Sequence, residues 1–422
     1  MKKFCVILQN NTAELDFLLP ILDKCKNNFD IIILDYNKNI IAYKGSLWIN
    51  FFGKKTKILS LNNLTKKNKL MDCISKRINS NSVSIKKILN LFFFNKNFNG
   101  LLFISFYNYV YKIFLNTYFF YSKINYDFSQ YEYILTGQRD FKNKIFSIKF
   151  EEIIKNYKKK IILIPHGPHY DLLFPKKISA TEKIIVDLNK DFINIYPNKY
   201  QKPWLNKYLN KKRCLLFNYP MLNDPKSINL GYAKKKFKTN YKKKILIISR
   251  SFDIYNSKRT YDQFTSNVDE FMDFLKPMKN IIGQGEFDVF LKPHPKTDLN
   301  LLRHVLSKNS MNNIKIINDS IFFFINKIDY IYSYQSTSML FGVPFSKIIF
   351  KYIDNYSKNF FTWKMCNKFY SGFTEVTKHD CISNIIKNLG EKKNNQLIKK
   401  NKKKILDMFR TDYKQNFFKL IK

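Results

Sequence analysis

Residues 287–298 read Phe-Asp-Val-Phe-Leu-Lys-Pro-His-Pro-Lys-Thr-Asp and carry the most specific structural signal in the chain. The run at 287–291 is almost continuously apolar, which is typical of a strand buried on both faces of a parallel sheet. It leads directly into a Lys-Pro-His-Pro turn at 292–295. Ligands of such sheets bind at the carboxyl ends of the strands. The stretch therefore predicts an α/β domain with a histidine where a ligand binds.

Apolar strands alternate with helical patterns on both sides of this stretch. In the C-terminal half the patterns predict strands at 244–248, 287–291, 314–317, 330–332 and 347–350, with helices at 261–275, 299–307, 321–326 and 337–342. In the N-terminal half they predict strands at 4–8, 29–34, 133–136, 160–164, 183–186 and 214–217, and a helix at 12–24. Near-continuous apolar strands separated by helices indicate parallel sheets covered on both faces.

A break between the two halves divides the chain into domains, because a turn-rich segment is followed by a polar and strongly basic one. We predict an N-terminal Rossmann-like domain at 1–225, a basic linker at 226–243, a C-terminal Rossmann-like domain at 244–392 and a Lys-rich helix at 393–422. Two doubly wound domains followed by a helix suggest an α/β fold of the GT-B architecture. Ligands of such a fold are expected in the cleft between the domains.

The composition excludes several classes of protein. The chain has 422 residues, and 45% of them are hydrophobic, which is too many for wholesale disorder. Its six cysteines form no CxxC pair and its five histidines form no HExxH motif, which argues against a disulfide scaffold and a zinc site. No acidic cluster of the DxD kind is present, so we predict neither a metal nor a cofactor.

The net charge of +42 comes from 74 Lys and Arg residues against 32 Asp and Glu residues. Lysine outnumbers arginine 67 to 7, whereas proteins that read nucleic acid rely on arginine for bidentate contacts. No nucleic-acid-binding motif is present. We therefore predict no nucleic-acid partner and expect the excess charge to meet an anionic membrane surface or a polyanionic substrate.

Two apolar segments are candidates for targeting or membrane insertion. The run at 4–8 is too short for a signal peptide. The segment 91–121 is the most apolar in the chain, but Lys and Asn residues interrupt it. It fits either a buried helix or an aromatic patch on a bilayer interface. We expect a cytoplasmic protein, and contact with the inner face of the plasma membrane stays open.

A second strand-to-turn junction, at 161–171, reads Ile-Ile-Leu-Ile-Pro-His-Gly-Pro-His-Tyr-Asp. It puts His166 at the carboxyl end of a predicted strand, and histidine is the side chain best suited to proton transfer near neutral pH. Gly167 lets the backbone turn tightly or approach a ligand closely. Asp171 could orient the imidazole or act as the base itself. The structural alternative is a hydrogen-bonded turn histidine.

The turn at 292–295 has the features of a phosphate site. Pro293 and Pro295 stiffen the backbone around His294, and the neighbouring Lys292 supplies a cation that suits a phosphate. A purely structural Pro-rich turn is the alternative. Arg250, which follows the predicted strand at 244–248, could also reach a phosphate or an acceptor acid, or it could be an ordinary surface arginine.

A Ser/Thr cluster follows the predicted strand at 330–332. Ser336, Thr337 and Ser338 could cap the helix that begins there and donate hydroxyl groups. The first backbone N–H groups of a helix, together with its dipole, attract anions. The cluster therefore predicts either a second phosphate contact or ordinary capping.

These motifs resemble those of bacterial surface-polysaccharide enzymes with the GT-B fold. The group includes sialyltransferases and polysialyltransferases, capsule Kdo transferases, and CDP-glycerol glycerophosphotransferases of the teichoic-acid type. His294-Pro295 resembles the HP motif, and Ser336-Thr337-Ser338 the Ser/Thr motif, that hold the CMP part of the donor in the sialyltransferases. The resemblance implies a cytidine-nucleotide donor bound by the C-terminal domain.

Two subfamily features differ in this sequence. The acidic D/E-D/E-G motif of the sialyltransferases is absent. His166-Gly167 resembles the HG motif of the glycerophosphotransferases, but Ser333-Tyr334-Gln335 stands where their Ser motif usually follows an Asp. Neither subfamily pattern is therefore complete.

The resemblance implies an inverting, metal-independent glycosyltransferase of capsule or lipopolysaccharide synthesis. Its N-terminal domain would bind a glycan or lipid-linked acceptor, and a sugar such as sialic acid would be transferred from the cytidine nucleotide. His166, Asp171 and His294 are the catalytic candidates. Four alternatives stay open: a CDP-glycerol glycerophosphotransferase, a non-catalytic polysaccharide-assembly protein, a UDP-sugar epimerase and a basic RNA-binding protein.

Overall fold

The computed structural model describes two β-sheets and the elements packed on them. The described residues are 3–8, 29–33, 57–65, 113, 117, 121–137, 149, 151–153, 160–164, 192–196, 214–216, 243–252, 265–284, 286–294, 297, 299–317, 321, 324–334, 336–354, 370 and 372–409. Within them, no helix combines the length and apolar character needed to cross a bilayer.

The N-terminal sheet has seven strands in the order β3-β2-β1-β4-β5-β6-β7. They are β1 (Phe4–Leu8), β2 (Phe29–Ile33), β3 (Ile58–Ser60), β4 (Tyr133–Gly137), β5 (Lys160–Ile164), β6 (Ile193–Tyr196) and β7 (Cys214–Leu216), with the short helix α1 (Leu61–Leu64) after β3. The β1–β2, β1–β4, β2–β3 and β6–β7 pairs are parallel. Every residue of β1 and β4 is buried, as expected for central strands covered on both faces.

The C-terminal sheet has six parallel strands in the order β12-β11-β8-β13-β14-β15. They are β8 (Lys243–Ile248), β11 (Phe287–Lys292), β12 (Lys315–Ile316), β13 (Tyr330–Ser333), β14 (Ile348–Tyr352) and β15 (Thr374–Val376). A separate short parallel pair is formed by β9 (Ser251–Phe252) and β10 (Thr265–Ser266). The helices are α2 (Val268–Leu275), α3 (Lys279–Gln284), α4 (Leu299–Lys308), α5 (Thr337–Leu340) and α6 (Ile382–Phe409).

Each sheet has the strand order of a doubly wound Rossmann-like domain. In sequence order within its own sheet, the C-terminal sheet reads 3-2-1-4-5-6, and the order reverses direction between β8 and β13. The corresponding reversal in the N-terminal sheet lies between β1 and β4. Ligands of open α/β sheets bind outside the carboxyl ends of the strands at this switch point. The topology therefore predicts a ligand site at the residues that follow β8 and β13.

An aromatic cluster fixes α2 against the C-terminal sheet. Phe274 stacks on Tyr332 and on Tyr334, with ring centroids 4.6 and 4.1 Å apart. The Tyr332 hydroxyl donates to the Phe274 carbonyl at 2.6 Å, and the Tyr334 hydroxyl donates to the Glu270 carbonyl at 3.0 Å. Both buried hydroxyls thus have partners, and Tyr334 is held rigidly just after β13.

The predicted strands are confirmed wherever the structure describes them, with ends shifted by one or two residues. The predicted strand at 183–186 and the helix at 12–24 lie outside the described residues. Five short strands were missed, β3, β6, β9, β10 and β15, because two to four residues of mixed polarity carry almost no periodic signal.

Two predicted helices are corrected by the structure. The helix at 261–275 begins only at Val268, because Asn267 and Glu270 form a capping box there and Thr265–Ser266 is extended. The helix at 321–326 is replaced, among its described residues, by 3-10 turns such as Ile325–Lys327.

Two other predicted elements have shifted ends. Helix α5 ends at Leu340 rather than 342. The tail helix, predicted from residue 393, already begins at Ile382, and a non-helical Gly390 divides it. The boundaries of the two domains stay predictions.

The apolar segment 91–121 is described only at three positions. Residues 113, 117 and 121 are helical, and Ile113 and Tyr121 are exposed. The alternatives of a buried helix and an interfacial patch are therefore both still predictions for the rest of the segment.

Candidate functional site

Three strands of the C-terminal sheet end at the same level. Lys292 at the end of β11 and Ser333 at the end of β13 both pair in register with Ile248, the last residue of β8. The Ser249 N–H donates to the Lys292 carbonyl at 3.2 Å. The Ser333 hydroxyl donates to the Ile248 carbonyl at 3.2 Å. The segments that follow the three strands therefore start side by side at one edge of the sheet.

Arg250 lies over the ring of Tyr334, with its guanidinium carbon 4.3 Å from the ring centroid. Tyr334 is buried and is itself stacked on Phe274, so the ring is a fixed platform. A guanidinium packed on an aromatic face is stabilised by about 0.5–2 kcal/mol, depending on its exposure. Because Arg250 follows β8 and Tyr334 follows β13, the half-buried guanidinium is held at the switch point. The binding of a ligand by Arg250 stays a prediction.

The turn after β11 is closed by a backbone hydrogen bond. The Thr297 N–H donates to the His294 carbonyl at 2.9 Å, across Pro295 and Lys296. Pro293 is buried, while Lys292 and His294 are half-buried. The side chains of Pro295 and Lys296 lie outside the described residues. This hydrogen bond supports the rigidity predicted for the turn. The turn places His294 two residues beyond the end of β11.

Ser336 caps the single-turn helix α5. Its hydroxyl oxygen accepts from the Ser338 N–H at 3.3 Å. The capping predicted for this cluster is thus observed at Ser336, which can still donate its own hydroxyl hydrogen to a ligand. Ser338 is half-buried beside it. Thr337 is the first residue of the helix, and its side chain is outside the described part of the structure.

Ser249 is a candidate site residue that the sequence analysis missed. It is 5% exposed, and its hydroxyl has no hydrogen-bond partner among the described residues. Buried polar groups are nearly always satisfied, by protein, water or a ligand. Its position immediately before Arg250, at a strand end, was the only available signal. Thr297 is a similar case, 6% exposed with an unpartnered hydroxyl within the described structure.

A row of side chains crosses the sheet just below this edge. Residues paired in register on parallel strands point to the same face, so Lys292, Ile248, Ser333, Lys351 and Glu375 share one face. Lys351 is fully buried, and its ammonium lies 2.8 Å from the Glu375 carboxylate. The row therefore carries two lysines.

The acid–base candidates of the N-terminal half could not be placed in the same way. His166, Gly167 and Asp171 lie outside the described residues, beginning two positions after the end of β5 at Ile164. At the switch point of the N-terminal sheet, Thr136 is fully buried with a hydroxyl that has no partner in the described structure. The catalytic roles of His166 and Asp171 therefore stay predictions.

The described site is cationic and holds no metal-binding cluster. No group of three or more His, Cys, Asp or Glu side chains that could bind a metal occurs among the described residues. The segments at the ends of these three adjacent strands carry Arg250, Lys292, His294 and the hydroxyls of Ser249 and Ser336. Two cations and several hydroxyl donors at strand ends are suited to binding phosphate oxygens.

Comparison with solved structures places this arrangement in a known architecture. No protein-family model and no curated protein matches the sequence. The UDP-GlcNAc 2-epimerase of Methanocaldococcus jannaschii, in complex with UDP-GlcNAc and UDP, is similar with a TM-score of 0.52 and 12% identity, over 99% of this chain and 99% of its own. The wall teichoic acid polymerase TagF is similar with a TM-score of 0.54 and 13% identity, over 100% of this chain and 88% of its own.

The chain has the two-domain GT-B fold. MnaA of S. aureus in complex with UDP agrees, with a TM-score of 0.51 and 12% identity over 98% of this chain and 93% of its own. The α/β, GT-B fold predicted from the sequence is thereby confirmed. Identities this low establish the fold alone.

Proposed function

We propose that this GT-B protein is a glycosyltransferase of cell-surface polysaccharide biosynthesis that uses a cytidine-nucleotide donor. The observation that carries the proposal is that Arg250, the turn at Lys292 and His294, and the Ser336 cap lie at or beyond the ends of three adjacent strands of one sheet, at its switch point. The likeness to TagF and to nucleotide-bound epimerase structures supports a nucleotide-activated donor. The transferred unit would be a sugar such as sialic acid or a related acid.

The donor phosphate would lie against the edge of the C-terminal sheet. Arg250 and Lys292 would bind its oxygens, and the Ser249, Ser336 and Ser338 groups would donate hydrogen bonds. When the bond between the sugar and the nucleotide breaks, negative charge stays on the departing phosphate. Fixed cations there stabilise the transition state more than the bound donor.

The acceptor would react from the N-terminal half of the chain. His166 would take the proton from the attacking acceptor hydroxyl, with Asp171 orienting the imidazole or replacing it as the base. Gly167 would let the backbone approach the substrate closely. Attack on the face opposite the departing phosphate gives inversion, and the cations would make a metal unnecessary. These assignments rest on the sequence.

A second candidate is transfer of glycerol phosphate from CDP-glycerol. The likeness to the wall teichoic acid polymerase TagF, one of whose structures was soaked with CDPG, favours it. The two candidates share the donor site and differ in the bond that breaks. In either case we propose a cytoplasmic enzyme whose acceptor is a glycan or a lipid-linked chain at the anionic inner leaflet.

The decisive experiment measures thermal stabilisation by CMP, CDP, UMP, UDP, GDP and ADP. A nucleotide at 100 times its Kd stabilises a protein by about 2.7 kcal/mol, which is a readily measured change in Tm. His294→Ala should reduce this stabilisation, and His304→Ala, an exposed histidine of α4, should leave it unchanged. Selective stabilisation by CMP or CDP supports the cytidine-nucleotide donor.

The same panel can reject the proposal. Stabilisation by UDP alone would indicate a UDP-sugar epimerase or transferase instead. No response to any of the six nucleotides would contradict the donor site and favour a non-catalytic assembly protein. Incubation with CMP-sialic acid, CMP-Kdo and CDP-glycerol, followed by detection of released CMP, then separates the two candidate reactions.

A further inference from the structure

The second segment of α6, residues 391–409, has two faces of different chemistry. It begins after Gly390, whose φ of 51° is not helical. One side is buried or half-buried and consists of Asn394, Leu397, Ile398, Asn401, Lys404 and Ile405. The exposed side carries Lys392, Lys393, Lys399, Lys400, Lys402 and Lys403. At 100° per residue all of these lysines except Lys402 fall within a sector of about 120°, which also includes Gln396 and Asp407, and we call the five lysines of this sector the lysine face.

Folding gathers these charges against their mutual repulsion. Lys399 and Lys403 are four residues apart, as are Lys400 and Lys404, and like charges at this spacing destabilise a helix. Burial lowers the pKa of the Lys404 ammonium, and the positive charges of Lys400 and Lys351 lower it further. The positive charge of Lys400 therefore opposes the protonated form of Lys404 within the same segment.

Helix α6 itself supplies little negative charge to offset the lysine face. Glu391 and Asp407 are the only acidic residues in α6. None of the ion pairs between described residues includes a lysine of the face. An external polyanion is therefore the expected partner.

We propose that the lysine face docks on the anionic surface of a lipid bilayer. Among the residues of the segment whose exposure is described, the other exposed ones are Asn395, Gln396, Lys402 and Asp407, so this described surface offers no aromatic ring for stacking on a base and no arginine for a bidentate phosphate contact. Nor is any apolar side chain exposed among the residues of the segment whose burial is described. What remains is adsorption by point charges along a helix of about 28 Å.

The choice of a bilayer over another polyanion rests on the proposed function, whose acceptor is carried at the inner leaflet. Docking through α6 would raise the local concentration of enzyme at that acceptor. Each lysine near an anionic membrane changes the partition by roughly five-fold. Attraction of this kind is screened strongly when salt rises from about 0.1 to 1 M.

The test compares binding of the full-length protein to phosphatidylcholine vesicles with and without 40 mol% phosphatidylglycerol. The triple variant K392Q/K399Q/K403Q removes three charges from the face. The matched control K123Q/K279Q/K308Q removes the same charge from exposed lysines elsewhere. The face variant should bind anionic vesicles roughly 100-fold more weakly than the unmodified protein, and the control should bind almost normally. Thermal melts confirm that both variants fold.

Three results would overturn the proposal. Equal losses in the two variants would show that net charge acts and the lysine face does not. If the unmodified protein showed no preference for anionic vesicles, the lysine face would not be a docking surface for membranes. Tighter capture by RNA or by inorganic polyphosphate than by vesicles, lost in K392Q/K399Q/K403Q, would assign the face to a soluble polyanion. Vesicle binding is measured without substrate. A negative result in the nucleotide-binding assay would therefore not change the interpretation of vesicle binding.

Discussion

At the scale of single residues, the strongest feature is an arginine whose direction is set before any ligand arrives. Arg250 rests on Tyr334, and Tyr334 is locked by its stack on Phe274 and its hydrogen bond to the Glu270 carbonyl. A side chain ordered in advance loses less conformational entropy when it binds a phosphate. Helix α2 thus helps to fix the ring on which Arg250 rests.

Replacing Arg250 with lysine tests the role of this planar group. Lysine keeps the positive charge but cannot form a bidentate contact and packs less well on a ring. We expect Arg250→Lys to weaken nucleotide binding by about 10-fold, with a change in unfolding free energy below about 0.5 kcal/mol. Isothermal titration with the best nucleotide and chemical denaturation measure the two effects. Arg303→Lys, at an exposed arginine of α4, is the control, and equal losses in both variants would contradict a specific role.

Ser249→Ala separates a ligand hydroxyl from a structural one. The buried Ser249 hydroxyl has no partner in the described structure, so removing it should leave the unfolding free energy unchanged or raise it by up to about 1 kcal/mol. Nucleotide binding should fall by about five-fold, because a hydrogen bond to the phosphate contributes about 1 kcal/mol.

The matched control for Ser249 is Ser333→Ala. The Ser333 hydroxyl donates to the Ile248 carbonyl, so its loss should destabilise the protein by about 1 kcal/mol. Denaturant unfolding with and without nucleotide distinguishes the two serines. If Ser249→Ala destabilised the free protein as much as Ser333→Ala, the hydroxyl would have a structural partner.

At the scale of elements, side chains with unusual electrostatic surroundings lie near the ends of strands and helices. Lys351 of β14 is fully buried, yet the Glu375 side chain that it pairs with on β15 is 55% exposed. A buried cation depends on such a partner, because losing the partner leaves the cost of desolvation unopposed. The β14–β15 pair therefore owes part of its stability to one carboxylate at the edge of the sheet.

Glu375→Gln and Lys351→Met should consequently have unequal effects. Glu375→Gln leaves the buried ammonium without its carboxylate and should destabilise the protein by about 1–2 kcal/mol, less than a fully buried pair because Glu375 is exposed. Lys351→Met removes the charge itself and should be close to neutral. Chemical denaturation of both variants gives the comparison. A larger loss in Lys351→Met would mean that the ion pair itself stabilises the sheet.

The start of α6 places a thiol among hydrogen-bond donors. Burial alone would raise the pKa of the Cys381 thiol, but the Ser383 hydroxyl, the backbone N–H groups of Asn384 and Ser383, and the Asn280 amide together bring the pKa below its usual value. A lowered pKa increases the thiolate fraction at a given pH. Cys5, in contrast, is buried in β1, and that burial raises the pKa of its thiol.

Alkylation of Cys381 by iodoacetamide should therefore begin at a lower pH than for an unperturbed cysteine, whose pKa is about 8.5. Rates measured from pH 6 to 10 by peptide mass spectrometry give the midpoint. Ser383→Ala removes one donor and should move the midpoint to higher pH. Cys5 should stay unmodified in the folded protein. An unchanged midpoint in Ser383→Ala would show that the Ser383 hydroxyl does not stabilise the thiolate.

At the scale of the whole molecule, local signals predicted elements, while contacts between distant residues determined the site. The apolar run at 287–291 specifies a buried strand by itself, and the structure has that strand. The start of α2 was misplaced because the capping pair at Asn267 and Glu270 outweighed the apolar periodicity before it. The platform under Arg250 could not be predicted, since Tyr334 is 84 residues away in sequence and meets it only through the strand order.

The strand order also predicts where a nucleotide acts. All described residues of the proposed donor site lie at or beyond the ends of β8, β11 and β13, so the nucleotide should contact the C-terminal sheet alone. We expect the donor nucleotide at 100 times its Kd to slow hydrogen exchange in peptides covering 246–252, 290–294 and 332–340, by up to about 100-fold where exchange requires release of the ligand. Peptides from β1 and β2 should exchange at unchanged rates.

Hydrogen exchange measured by mass spectrometry, with Arg250→Lys as the comparison, makes this test specific. The protection should shrink in that variant at equal nucleotide concentration, because fewer molecules are occupied, while the peptides involved stay the same. Protection confined to the N-terminal sheet would place the nucleotide on the other half of the chain and reverse the assignment of donor and acceptor. Since the two sheets share the same strand order around their switch points, this exchange of roles is the sharpest alternative that the fold allows.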